Sequence, residues 1–168
     1  MNYIEELFKE TFDQINVAFQ EMFTTLFGGG KAKLSLADEE NILESGIEIK
    51  AQPPGKKPAT LTLLSGGERS MTAVALLFAT YKVKPSPFCI LDEIDAALDA
   101  RNVGAFTTAL KDFGEKSQFI IITHNKGTVM GSDSILGVTQ QELGVSKMIG
   151  YKIEDSKEDA KSSDTLKG

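Results

Sequence analysis

"FCILDEIDAALD", residues 88–99, decides how this chain is read. An apolar run, Phe88 to Leu91, stops at two adjacent carboxylates, Asp92 and Glu93, and Asp95 and Asp99 follow within a turn or two. A short apolar run bounded in this way is the pattern of a buried strand. Two carboxylates at its end can divide two tasks. Mg²⁺ is a hard ion that keeps its waters and takes one or two carboxylates beside nucleotide phosphates, which suits Asp92. Glu93 points elsewhere and can orient an attacking water. A free glutamate, with a pKa of about 4.3, is a weak base at neutral pH, so Glu93 works by positioning or through a locally raised pKa.

Upstream, "LSGGE", Leu64 to Glu68, precedes a helical pattern running from Glu68 to Tyr81. Two glycines before a helix let backbone N–H groups approach an anion, and the helix dipole favours negative charge there. Ser65 adds a hydroxyl, and it also suits a plain N-cap with a tight turn. Downstream, Ala100 to Phe113 is an amphipathic helix (Val103, Phe106, Leu110, Phe113), followed by the apolar strand "QFIIITHN". Strand, helix, strand, with both strands apolar on two faces, is a βαβ unit of a parallel sheet. Ligands of such sheets gather at the carboxyl ends of the strands, where Asp92, Glu93 and His124 fall. His124 is the only histidine, and its strand-end position suits contact with phosphate or water. With one histidine and no cysteine cluster, a zinc site is not expected.

The rest of the chain frames this unit. Ile4, Leu7, Phe8, Phe12, Ile15, Phe19, Met22, Phe23 and Leu26 recur at helical spacing and end at "FGGG". "KAKLSLAD" and "GIEIKAQ" alternate as two antiparallel strands, "PPGKKPAT" is a loop, and "LTLL" reads as a short strand entering "SGGE". "SILGVTQQ" and "VSKMIGYKIE" form two more strands around a turn, and the polar stretch 155–168 reads as a disordered tail. The expected division is a helix over 1–27, an α/β lobe over 28–154, and that tail.

The 168 residues suffice for one domain with a core of its own. The net charge of −6 argues against a chain-wide electrostatic grip on nucleic acid. It leaves room for a local patch around Lys31, Lys33, Lys56, Lys57 and Arg69. No stretch approaches the ~20 apolar residues of a membrane span. The N-terminus lacks a signal peptide's pattern, and the lone Cys89 excludes an internal disulfide, so a cytoplasmic location is expected. One element is missing. A phosphate loop G-x-x-x-x-G-K-[ST] should accompany an acid-ended strand. At Gly30-Lys31 the first glycine position is Thr25 and the last is Ala32; at Gly55-Lys56 they are Lys50 and Lys57. Neither fits.

"LSGGERSMTAVALLFA", "PFCILDEIDAALDARNV", "QFIIITHNKGTV" and "GVTQQELGVSK" together resemble the C-terminal half of the ATPase head of SMC proteins, ABC-type ATPases that organise chromosomes. The resemblance extends from the first helix to about Glu154, and the last motif points to the bacterial type. It implies an α/β fold with a parallel core, flanking helices, antiparallel strands and a first helix that is the stub of a coiled coil. It implies ATP and Mg²⁺ as ligands. Ser65, Gly66, Gly67 and Glu68 would form the signature motif, touching in trans the γ-phosphate held by a second head. Asp92 would act on Mg²⁺, Glu93 and His124 on the water and γ-phosphate, and Asp99 would lie at the head–head interface. Arg69 stands where lysine is frequent. The implied partners are the N-terminal half of the head, which would carry the phosphate loop, a second SMC head, a kleisin, and DNA through the full complex, which would place the protein at the nucleoid, in chromosome condensation and segregation. No membrane is implied. On this view the isolated chain is inactive. Other readings are the head of a coiled-coil double-strand-break repair ATPase, a transporter's nucleotide-binding domain, and a non-catalytic kleisin-docking module.

Overall fold

The computed structural model describes residues 3–153. Helix α1 (Tyr3–Phe27) follows the expected apolar spacing, and its second half carries the burial: Ala18, Phe19, Met22, Phe23 and Leu26 are all buried. Its outer end is different, with Tyr3, Ile4 and Leu7 exposed. The helix stops at three glycines, all with positive φ, and Gly29 N–H returns to the Thr24 carbonyl (2.9 Å). Gly30 has no substitute. A Cβ there would sit 2.4 Å from the Gln52 carbonyl oxygen, at a φ of +87°.

Strands β1 (Lys31–Leu36) and β2 (Ile47–Gln52) pair antiparallel, and β2 continues to a two-residue strand β3 (Ala59–Thr60). α1 docks on β1 through two polar residues one turn apart. Asn16 Oδ1 accepts the Leu34 N–H (2.8 Å) and Asn16 Nδ2 donates to the Leu34 carbonyl (3.1 Å); Gln20 Oε1 accepts the Ala32 N–H (2.8 Å). The helix thus supplies the bonds a further strand would make at that edge. The "LTLL" strand expected from sequence is not formed. Leu61–Leu63 is a single 3₁₀ turn, with Leu63 exposed. β3 uses the pairing positions opposite Lys50 and Ala51, and the chain must then turn into the next helix.

Helix α2 (Gly66–Val83) buries Met71, Val74, Ala75, Phe78 and Ala79. It leads past Pro85 and Pro87 to β4 (Phe88–Asp92), α3 (Ala100–Gly114) and β5 (Gln118–Ile122). β4 and β5 are parallel, with Asp92 opposite Ile122, as the βαβ reading requires. The core joins Phe19 and Phe23 of α1, Met71 and Phe78 of α2 and Phe106 of α3, all at 0% exposure. Phe78 stacks on both Phe106 and Phe113, at centroid separations of 5.9 and 5.1 Å. The parallel pair departs from expectation in one respect. Cys89, Leu91, Phe119 and Ile121 face the core, but Phe88, Ile90, Ile120 and Ile122 are exposed. Among the described residues, helices cover only one face of these strands.

Contacts divide the chain into two units, Met1–Thr128 and Val129–Gly168, with the short helix α4 (Lys126–Met130) crossing the boundary. The second unit is the expected hairpin, β6 (Ser134–Glu142) and β7 (Val145–Lys152), turning at Gly144 (φ +82°) with a bulge between Gln140 and Glu142. The stretch 155–168 lies outside the described residues. No described helix is long and apolar enough to cross a membrane.

Candidate functional site

The parallel pairing brings Asp92, Glu93 and His124 to one end of β4 and β5. Glu93 N–H donates to the Ile122 carbonyl (2.9 Å), extending the ladder one residue past the strand. Glu93 then takes a φ of +49°, the one non-glycine residue among those described with positive φ. Such a conformation is uncommon for a residue with a side chain, and here it turns the chain sharply after the sheet. The Ala96 N–H closes the turn on the Glu93 carbonyl (3.1 Å). Glu93 Oε1 lies 3.5 Å from His124 Nδ1, with side chains 58% and 76% exposed. The two therefore face one another at the solvent edge of the strand ends, where a water could be held between an acceptor and an imidazole.

Asp95, two residues beyond Glu93, is 1% exposed. Its carboxylate accepts the Thr123 hydroxyl (2.7 Å to Oδ2, 3.0 Å to Oδ1) and the Thr128 hydroxyl at Oδ2. Thr123 Oγ1 in turn accepts the Asn125 N–H (2.9 Å), and Asn125 Oδ1 accepts the Gly127 N–H (3.0 Å). Sequence reasoning named Asp95 without giving it a role and passed over Thr123 and Thr128. The available signal was two threonines bracketing the single histidine, opposite a run of carboxylates in excess of what a metal needs. Asp99 caps α3, accepting the Asn102 N–H (2.8 Å).

"SGGE" forms the start of α2. Ser65 Oγ accepts the Glu68 N–H (3.4 Å) and donates to Glu68 Oε2 (2.8 Å), which also accepts the Ser65 N–H (3.1 Å). This reciprocal cap is what Ser followed three residues later by Glu encodes. Lys56 reaches over from the Pro/Gly loop to Glu68 Oε1 (2.8 Å). Lys56, and then Ser65, hold the Glu68 carboxyl below the usual glutamate value. The helix start and the acidic turn lie side by side. A Cβ on Gly67 would touch the Ala97 carbonyl oxygen at 3.4 Å, and Ser70 and Ala73 share with Glu93, Ile94, Ala96 and Ala97 a cavity of about 370 Å³. Cys89, on the core face of β4, is partly buried, and burial pushes its thiol pKa up.

As to metal, no cluster of three or more His, Cys, Asp or Glu able to hold an ion occurs among the described residues. A hydrated Mg²⁺ held by one carboxylate and by phosphates needs only a residue such as the exposed Asp92.

Residues 8–147 match the family described as the RecF/RecN/SMC N terminal domain. The chromosome partition protein Smc of Bacillus subtilis (strain 168) is 56% identical over 151 residues, covering 90% of this chain and 13% of that protein. An Smc head solved bound to the C-winged helix domain of ScpA superposes with a TM-score of 0.82 at 40% identity, covering 89% of this chain and 46% of that one. A structure described under ATP-driven dimerization and DNA-stimulated activation of SMC ATPases gives a TM-score of 0.80 at 40% identity, covering 88% and 89%. The α/β head fold expected from sequence is thereby shown. The assignment to the C-terminal half of a head is not: the matched family is that of the N terminal domain, and this overturns it. That assignment rested on the resemblance of four motifs, and the missing phosphate loop was in keeping with it. In a chain spanning 13% of its relatives' length, a missing motif says only that the motif is not in these residues.

Proposed function

We propose, from the premise that the chain belongs to the RecF/RecN/SMC family, that it is part of an ATPase head and carries the hydrolytic corner of that head. The observation that carries this reading is the Glu93–His124 pair, 3.5 Å apart at the carboxyl ends of two parallel strands. Glu93 accepts a proton or a hydrogen bond from a water and aims it; His124 donates to the phosphate that water attacks. Asp92 would hold Mg²⁺ through water, and the ion would supply charge neutralisation on the phosphates. The start of α2 at Gly66 and Gly67 offers backbone N–H groups and the positive end of the helix to an anion, while Lys56 offsets the Glu68 charge that would otherwise repel it.

Head pairing by ATP and a winged-helix partner of the ScpA kind are proposed from the solved heads that carry those descriptions. Asp99, at the exposed start of α3, would face the second head. The exposed Tyr3, Ile4 and Leu7 support continuation of α1 into a coiled coil. A place in the cytoplasm, on the chromosome, follows from the same reading.

The test is ATP turnover by a chimera in which this chain replaces the matching segment of the Bacillus subtilis relative. Glu93→Gln should lower kcat by about 100-fold or more while leaving ATP binding intact, the range expected for loss of a positioned base. Ser65→Arg should retain ATP binding and lose head pairing. Turnover undiminished in Glu93→Gln would refute the assignment.

A further inference from the structure

A carboxylate with 1% exposure and, among the described residues, no cation beside it is costly to bury, and an apolar side chain would fill the same space more cheaply. Asp95 is met instead by hydroxyls, and those hydroxyls come from the two threonines that flank the His124 turn. The pair that needs positioning cannot position itself. Glu93 and His124 are both mostly exposed, and an exposed pair at 3.5 Å contributes little against side-chain entropy and salt.

We propose that Asp95 is a positioning residue for the Glu93–His124 corner, holding the turn after β5 in register with the turn after β4. The clamp has a definite reach. Asp95 lies two residues after Glu93; Thr123 is adjacent to His124, and Thr128 anchors the first turn of α4 behind it. The Asn125 N–H bond to Thr123 and the Gly127 N–H bond to Asn125 pass the constraint along the intervening backbone. With Glu93 N–H on the Ile122 carbonyl, each turn is fixed at two points and His124 is carried between them. This inference rests on the hydrolytic reading of the corner, yet the clamp itself can be tested apart from hydrolysis.

His124 is the only histidine in the chain, so its Hε1 proton gives a single, unambiguous histidine signal in the NMR spectrum. In Asp95→Ala and in the shape-conserving Asp95→Asn, that signal should move or broaden, with Asn the milder. In the chimera, the same variants should lower kcat by about tenfold to 100-fold, the scale of a misplacement near 1 Å, while KM for ATP stays within about twofold. A purely structural Asp95 would lower the melting temperature and leave both the signal and kcat of the folded protein unchanged. Folded variants whose His124 signal stays in place, or moves without loss of kcat, overturn the proposal. If Asp95→Ala does not fold, Asp95→Asn decides alone. If Glu93→Gln also leaves turnover intact, the hydrolytic reading itself has failed, and the His124 signal still reports on the clamp.

Discussion

Gly127 offers a test of how tightly the His124 turn is seated. A Cβ on Gly127 would lie 2.7 Å from Val103 Cγ1, where carbon atoms prefer about 3.5–4.0 Å. Val103 is 4% exposed and sits within α3, where a valine holds one χ1 rotamer about 90% of the time, so the methyl cannot swing aside. Overpacking of this kind costs about 1–3 kcal/mol. Against it stands the gain of replacing a helical glycine by alanine, about 0.4–1 kcal/mol. The clash wins. Gly127→Ala should therefore destabilise the chain by about 1–2 kcal/mol, a melting-temperature fall of about 2–8 °C for a protein of this size.

The decisive arm is the double variant. Val103→Ala alone leaves a void and costs about 2 kcal/mol, but it also removes the methyl that Gly127→Ala would strike. Equilibrium urea unfolding of the two single variants and the double should give a favourable coupling of about 1–2 kcal/mol. Additivity within about 0.5 kcal/mol, or a stabilised Gly127→Ala, would refute the close seating of α4 on α3. Because Thr128 follows Gly127, the same substitution should also disturb the His124 ring signal, and Val103→Ala should restore it.

Two further outcomes follow from the bonds around the core. Glu68 has a folded pKa below its ordinary 4.5, so its contribution is complete above that value and is lost as pH falls through the lower folded one. Glu68→Gln or Lys56→Ala should flatten the fall in melting temperature below about pH 4.5; Lys56 is half exposed, so the Lys56 contribution stays under about 1 kcal/mol. An unchanged acid profile would count against the pairing. Asn16→Ala should cost about 1–3 kcal/mol, because it strips partners from the N–H and C=O of Leu34, which is 3% exposed. Unfolding unaffected by that change would show that water replaces the amide.

Much of this was legible in the sequence, for reasons that differ along the chain. The spacing from Ile4 to Leu26 could only be a helix, and β4, α3 and β5 in that order could only place Asp92, Glu93 and His124 at one sheet end. Ser65 and Glu68 spelled out their cap. The run "FIII" was less informative: an unbroken apolar strand does not say which alternate residues meet a partner, and Ile120 and Ile122 turn out to meet none among those described. "LTLL" was too short for period two to be told from a 3₁₀ turn. Asn16 and Gln20 sit four apart on an otherwise apolar helix face, a pattern that signals a polar edge to be satisfied and was passed over. Of four carboxylates within the acidic turn, sequence alone singled out the exposed ones, since burial of Asp95 depends on threonines 28 and 33 residues away.

That last point decides what holds the corner. Even two full unit charges 4 Å apart in water-like surroundings would attract by only about 1 kcal/mol, and side-chain entropy would take much of that away. The Glu93–His124 contact, open to solvent on both sides, therefore reports a geometry set by other bonds. The candidates are the Glu93–Ile122 backbone bond and the hydroxyls on Asp95. The backbone bond fixes where Glu93 begins but not where the chain goes after Ile122. A hydrogen bond to a charged group contributes about 1.5–3 kcal/mol, and Asp95 accepts from both ends of the His124 turn. The buried acid, at positions where no substrate reaches, is the stronger constraint on the exposed pair. Its strength also explains how Glu93 can keep a φ of +49°: the strain at one end of the turn is offset by bonds made at the other.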